Sequence, residues 1–285
     1  GLAAEYGAAA AAIAARLGRP AERAPSADGA SPLRVRLFGG LRLERRGEEL
    51  PAPRWKRRKA QELFLLLLLR PGYAVPREQA VDLLYGEADP AKAVNRLYVA
   101  IHEINRALRA CCGVPDAVSL RDGVVALREG AVEEVDAEKF ETLVRVADRL
   151  HPARPELSEE LYEKAAELYG ELLPNRPYEE WLSRLRDELS VKQQRALARL
   201  AAAARRRGEA EREERFLKER LEWAPLEEEA VRELLSFYRR ETADYIKKQE
   251  NDPNLLVVQK PNVSADSIHR TYDSHPFSVI DDLIY

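Results

Sequence analysis

At 285 residues, 45% hydrophobic and 33% charged, the chain is long enough for roughly two domains, each able to bury a core. Its longest run of large apolar side chains, Leu63 to Leu69, is seven residues, which excludes a bilayer-spanning helix, and the Ala-rich start from Ala8 to Ala12 lacks the basic-then-apolar order of a signal peptide. The net charge of −3 taken whole argues against a nucleic-acid binder, but Ser31 to Gly130 holds 18 Lys and Arg against 12 Asp and Glu, a balance of +6 that leaves −9 for the remainder. A basic part joined to an acidic part is the asymmetry expected when one meets DNA and the other meets proteins.

The chain begins at Gly1 and contains no Met, which reads as a fragment or processed form. Gly1 to Gly18, with Ile13 and Leu17, predicts one Ala-rich helix, and Arg19 to Pro32 has the Pro, Gly and Ser content of a linker. Leu33-Arg34-Val35-Arg36-Leu37 alternates apolar and basic, Gly39-Gly40 can take positive φ, and Leu41-Arg42-Leu43-Glu44 alternates again, a β-hairpin signal. Arg54-Trp55-Lys56-Arg57-Arg58-Lys59 then runs into a leucine-rich helix that Pro71-Gly72 ends. Cations at a helix N-terminus oppose its dipole, so this turn reads either as simply solvated or as one that meets a counter-anion such as phosphate.

Arg77 to Tyr85 predicts a short helix with Ala80, Leu83 and Leu84 inward, closed by Gly86. Asp89 as N-cap and Pro90 at the first helical position start the next helix, which runs to Arg109. Leu97, Ile101, Ile104 and Leu108 make its apolar stripe. The other face carries Lys92, Asn95, Arg96, Tyr98, His102, Asn105 and Arg106, side chains that reach phosphates and base edges from a helix in a major groove. Adjacent Cys111 and Cys112 cannot staple distant segments and match no metal-ligand spacing, so a reducing cytoplasmic setting is expected. Ala117 to Leu120 and Val124 to Arg128 flank Arg121-Asp122-Gly123, a second hairpin.

Hairpin, three helices and hairpin is the layout of a winged helix. In the Leu33 to Leu43 hairpin, the leucine-rich helix, Asp82-Leu83-Leu84-Tyr85-Gly86, Asn95-Arg96-Leu97 and Arg106-Ala107-Leu108, the chain resembles the response-regulator-type DNA-binding domain of SARP-type bacterial transcriptional activators. The resemblance implies that Asp89 to Arg109 is a recognition helix and that Arg121 to Gly123 tips the wing. Arg96 and Tyr98 are candidates for base reading, with Asn95 and His102 beside them, and Lys92, Arg106, Arg121 and Arg57 are candidates for phosphate contact. One departure stands out: where such activators usually carry basic residues in mid-helix, this chain has His102, Glu103 and Asn105, and a carboxylate facing DNA is repelled by phosphate although it can accept from cytosine.

From Val135 onward the pattern is continuous helix. Asp136 is expected to cap the first, with Phe140, Leu143, Val144 and Ala147 inward, and Ser158 the second, with Leu161, Ala165, Ala166 and Leu168 at helical spacing. A third runs from Tyr178 to about Arg207, and Ala210 to Trp223 and Leu226 to Arg240 follow. Helical pairs of roughly 34 residues suggest tetratricopeptide-like packing. The same resemblance continues through Val135-Asp136-Ala137, Glu179-Glu180-Trp181 and Glu222-Trp223-Ala224-Pro225-Leu226, implying the family's bacterial transcriptional activation domain, which mediates dimer or RNA polymerase contacts. Trp181 and Trp223 read as packing anchors.

The fold expected is mainly α with small β-hairpins: an Ala-rich helix and linker over 1–32, a winged helix over 33–130, a tetratricopeptide-like domain over 131–240 and a tail of unassigned role over 241–285. No phosphate-binding Gly-rich motif is present, and His102, His151, His269 and His275 are not spaced for a helical metal pair, so no catalytic site, metal or cofactor is expected. Asn262-Val263-Ser264 matches a glycosylation acceptor by accident in a cytoplasmic chain. The reading is a cytoplasmic, sequence-specific regulator of transcription that is not an enzyme, with double-stranded DNA, RNA polymerase and a second copy as partners and no membrane. The alternative is a protein-interaction scaffold whose winged helix no longer reads DNA, favoured by Glu103.

Overall fold

Alternation of Leu33 and Val35 with Arg34 and Arg36 puts one apolar edge inward, and the strand this makes, β1 (Leu33–Arg36), pairs antiparallel with β2 (Arg42–Arg45) in the register Val35 to Leu43. The computed structural model describes residues 31–86 and 89–250, so the expected N-terminal helix and the tail beyond Glu250 lie outside it. The first hairpin extends further than its sequence signal: a turn at Arg46-Gly47, both at positive φ, returns the chain as β3 (Glu48–Glu49).

Next come α1 (Arg58–Leu68), β4 (Ala74–Pro76), α2 (Arg77–Tyr85), α3 (Pro90–Cys112), β5 (Val118–Arg121) and β6 (Val124–Leu127). Strand β4 pairs with β6, making the second hairpin a three-stranded sheet in the order β4, β6, β5. Nothing in Ala-Val-Pro marks a strand locally, since its pairing is the whole of its stability. In α1, Leu63, Phe64, Leu65, Leu66, Leu67 and Leu68 are all buried, as their unbroken run requires. Truncating one such side chain to Ala costs about 2–5 kcal/mol. In α2, Ala80 and Leu84 point inward, but Leu83 is 41% exposed, against expectation: its neighbour Leu84 takes the inward position of that turn.

Strand β7 (Val132–Val135) runs parallel to β1 and completes a sheet in the order β3, β2, β1, β7. It leads directly into α4 (Asp136–Leu150), followed by α5 (Pro155–Leu168), α6 (Glu180–Arg207), α7 (Ala210–Trp223) and α8 (Glu228–Glu250). Phe140, Leu143, Val144 and Ala147 are buried on α4 as their spacing predicts. Of the two expected caps, Asp136 does meet a first-turn donor of its helix, accepting from Ala137 N–H at 2.8 Å, while Ser158 does not cap α5. Asp136 is the first residue of α4, and its buried carboxylate accepts from the backbone N–H of Leu37 (2.8 Å) and Phe38 (3.0 Å), a full sheet away in sequence. Ser158 lies a turn inside α5, where its hydroxyl donates to the carbonyl of Ala147 at 2.9 Å.

The end of β1 also meets the segment after α5. Gly39 N–H donates to Glu171 O at 2.8 Å and Leu173 N–H to Leu37 O at 3.0 Å. Phe38, Phe140, Tyr169 and Trp223 stack in sequence there, with ring centroids 5.9 Å apart for Phe38 and Phe140, 5.1 Å for Phe140 and Tyr169, and 4.8 Å for Tyr169 and Trp223. Trp223 is thus a packing anchor; Trp181 donates its indole N–H to Glu179 at 3.0 Å. Gly170 permits this crossing, since a Cβ there would stand 3.2 Å from that of Phe38. By its contacts the chain divides into residues 1–231 and 232–285. In the described part of the second unit, which is helical, the rings of Phe237 and Tyr238 lie 5.3 Å apart and Arg240 stands over Phe237.

Candidate nucleic-acid interface

Helix α3 is held at both ends. Asp89 caps its start by accepting from Lys92 N–H at 3.2 Å, and Gly113 closes it in the left-handed conformation, its N–H donating to Arg109 O at 3.0 Å. Ala93, Leu97, Ala100, Ile101, Ile104, Ala107 and Leu108 are buried, which includes the whole predicted stripe. Lys92, Asn95, Arg96, Tyr98, His102 and Arg106 are exposed, as expected of an outward polar face. Tyr85 of α2 braces this face from the side, its hydroxyl donating to the carbonyl of Arg96 at 3.4 Å.

Two residues assigned to that face belong elsewhere. Glu103 is only 5% exposed, and its Oε1 accepts from the backbone N–H groups of Lys56 and, at 2.8 Å, Arg57. Arg57 and Arg106 flank the same carboxylate at 3.8 Å and 3.6 Å. The counter-anion that the basic start of α1 calls for is therefore a side chain of the protein itself, and the carboxylate is not presented to solvent. One turn further, the buried Glu62 takes Arg58 (2.9 Å) and Lys59 (2.8 Å), and Arg58 reaches Glu179 at 3.3 Å. Asn105, the second, turns to the wing, donating to Val118 O and accepting from Val118 N–H, both at 2.8 Å. A side-chain amide satisfied on both sides fixes the angle between helix and hairpin.

The structure gathers Arg57, Lys92, Asn95 and Arg96 around one open concavity of about 1110 Å³, bounded by the start of α1, the end of α2 and the first three turns of α3. Tyr98 (52% exposed), His102 and Arg106 continue along the outer face. Arg121 is not in the concavity: it ends β5 beside the Asp122-Gly123 turn, both at positive φ, which a two-residue hairpin of matching twist requires. The carbonyl of Gly123 accepts from Arg77 N–H at 2.8 Å, anchoring that turn to α2. Sequence reading passed over Val99, 44% exposed, which lies one turn after Asn95, one before His102 and two before Arg106. Its helical angle placed it at the centre of the outer face, and an apolar side chain there suits a thymine methyl.

Among the described residues no helix is long and apolar enough to cross a membrane, and no cluster of three or more His, Cys, Asp or Glu could hold a metal ion.

Residues 135–244 match the bacterial transcriptional activator domain family. No curated protein sequence matches the chain. Among solved structures it is similar in fold to Mycobacterium tuberculosis EmbR, determined in complex with a low-affinity phosphopeptide: TM-score 0.57 and 17% identity, over 76% of this chain and 58% of that one. The family is one of transcriptional regulators rather than of enzymes. Residues 135–244 thus carry a bacterial transcriptional activator domain, and a winged-helix arrangement stands directly ahead of it, in a fold similar to that of EmbR.

Proposed function

We propose that this regulator reads double-stranded DNA by laying α3 in a major groove. Arg96, Asn95, Tyr98 and His102 meet base edges, while Lys92, Arg106, Arg57 and, from the wing, Arg121 hold phosphates. In this reading residues 33–130 form the DNA-binding domain, residues 131–240 contact RNA polymerase or a second copy, and the tail over 241–285 has no assigned part. The observation that carries the proposal is the state of the outer face of α3: its cations, Tyr98 and Val99 are exposed, and Glu103, the one group that opposed DNA, is turned inward onto α1. The scaffold alternative rested on Glu103 facing outward and loses that support.

The test is fluorescence anisotropy on duplex DNA across a salt series. Four phosphate contacts give a slope of about −3.6 in log affinity against log salt, roughly a hundredfold loss from about 50 to 200 mM. An Arg96→Ala, Arg106→Ala double variant binds at least about tenfold more weakly, with a slope shallower by about one. No binding at low salt, or a double variant that binds as the wild type does, contradicts the proposal.

A further inference from the structure

At its C-terminal end α3 carries two thiols that the DNA reading does not use. Cys111 is half-buried and Cys112 buried, and their sulfurs approach to 2.8 Å. Arg45 of β2 reaches the same turn: its Nη1 donates to the carbonyl of Cys112 at 2.7 Å. The Nε and Nη2 of that guanidinium are buried and have no hydrogen-bond partner among the described residues. A cation with two idle donors beside a sulfur pair is a setting that favours a thiolate. The two sulfurs are unequal. The hydrogen bond between the two sulfurs, helped by the charge of Arg45, draws the Cys111 thiol below its ordinary 9.0 against the opposing effect of burial. The same hydrogen bond, with burial, pushes the Cys112 thiol up.

We propose that Cys111 and Cys112 form a modification site for hydroperoxides, Cys111 attacking and Cys112 resolving. The Cys111 thiolate attacks a peroxide oxygen, the O–O bond breaks, hydroxide leaves, and the sulfur becomes a sulfenic acid. Cys112 gives its proton to that hydroxide, its sulfur attacks Cys111, the S–O bond breaks, and the hydroxyl leaves with a proton from solvent as water. Two thiols are oxidised to a disulfide by two electrons, and hydrogen peroxide is reduced to two waters.

Adjacent Cα atoms across a trans peptide lie about 3.8 Å apart, short of the roughly 4.4–6.8 Å that a relaxed disulfide spans. Closing the ring therefore distorts the last turn of α3, where the Arg45 bond to Cys112 and the Gly113 cap sit. The effect on DNA rests on the reading of α3 proposed above: oxidation weakens binding about tenfold, the scale of one lost base contact.

The test is intact-mass spectrometry and thiol titration on the full chain before and after hydrogen peroxide, with DNA anisotropy on the same samples. The wild type loses the mass of two hydrogens and both titratable thiols while staying monomeric under denaturing, non-reducing conditions, and dithiothreitol restores it. Cys112→Ala stops at a sulfenic acid that dimedone traps on Cys111, and Cys111→Ser forms no disulfide. Oxygen gain without hydrogen loss, disulfide-linked dimers, or dimedone labelling of Cys112 in place of Cys111 overturns the site. Unchanged DNA affinity in protein whose mass proves it oxidised overturns the coupling to DNA. Failure of the reduced protein to bind DNA counts against the reading of α3 alone, because the mass result decides the thiol chemistry independently.

Discussion

Glu103 carries one of the largest consequences of any single side chain here. Both backbone donors at the start of α1 go to its Oε1, and its charge stands between Arg57 and Arg106. The two roles separate by substitution. Glu103→Gln keeps an oxygen for the N–H groups but removes the charge, so it leaves stability within about 1 kcal/mol of wild type and tightens DNA binding with a steeper salt slope. Glu103→Ala strands both donors and costs about 1–3 kcal/mol in chemical denaturation. Equal effects of the two variants on stability would contradict this division. The inward turn of Glu103 was not legible in the sequence. Its angle on α3 borders the exposed face, and only the position of α1, fixed by packing across more than 40 intervening residues, decides which side it joins.

At the scale of elements, the core side of α3 was legible because a buried helix face repeats every turn and every buried position of the predicted stripe is apolar. The wing was legible from Asp122-Gly123, whose residue types answer a local demand on φ. What joins helix to wing was not, since Asn105 looks like any outward polar residue until Val118 is placed against it. Asn105→Ala leaves a buried N–H and C=O of Val118 unpaired. It is expected to cost about 1–3 kcal/mol and to speed hydrogen exchange across β5 and β6 more than in α1. Uniform exchange throughout the winged helix would mean that the amide does not set the wing.

Across the whole molecule, the winged helix and the first helices of the activator domain share one sheet through β7 and one carboxylate, Asp136. Pairings of β1 with a strand and a side chain nearly a hundred residues away leave no local trace, which is why the sequence shows a run of helices after Gly130 and hides the seam. Burial holds the Asp136 carboxyl above its ordinary 3.8, against the pull of the Leu37, Phe38 and Ala137 N–H groups. The folded chain thus takes up this proton more readily than the unfolded one. That contribution to stability is complete below a pH of about 4 and is lost as pH rises through the raised folded value. Asp136→Asn turns an amide N–H₂ toward a backbone donor and is about 1–3 kcal/mol less stable, with the gap widest at acid pH and narrowing upward. A gap that widens with pH in calorimetry would reverse the sign argued here.

The outer face of α3 as the reader of sequence is the claim on which the functional account turns, and selection from a random duplex pool tests it most directly. The wild-type chain should enrich one motif, Arg96→Ala should relax that motif at a single position, and Lys92→Ala should weaken recovery while leaving the motif intact. Recovery of unselected sequence by the wild type, or an identical motif after Arg96→Ala, Asn95→Ala and Tyr98→Ala alike, would contradict it.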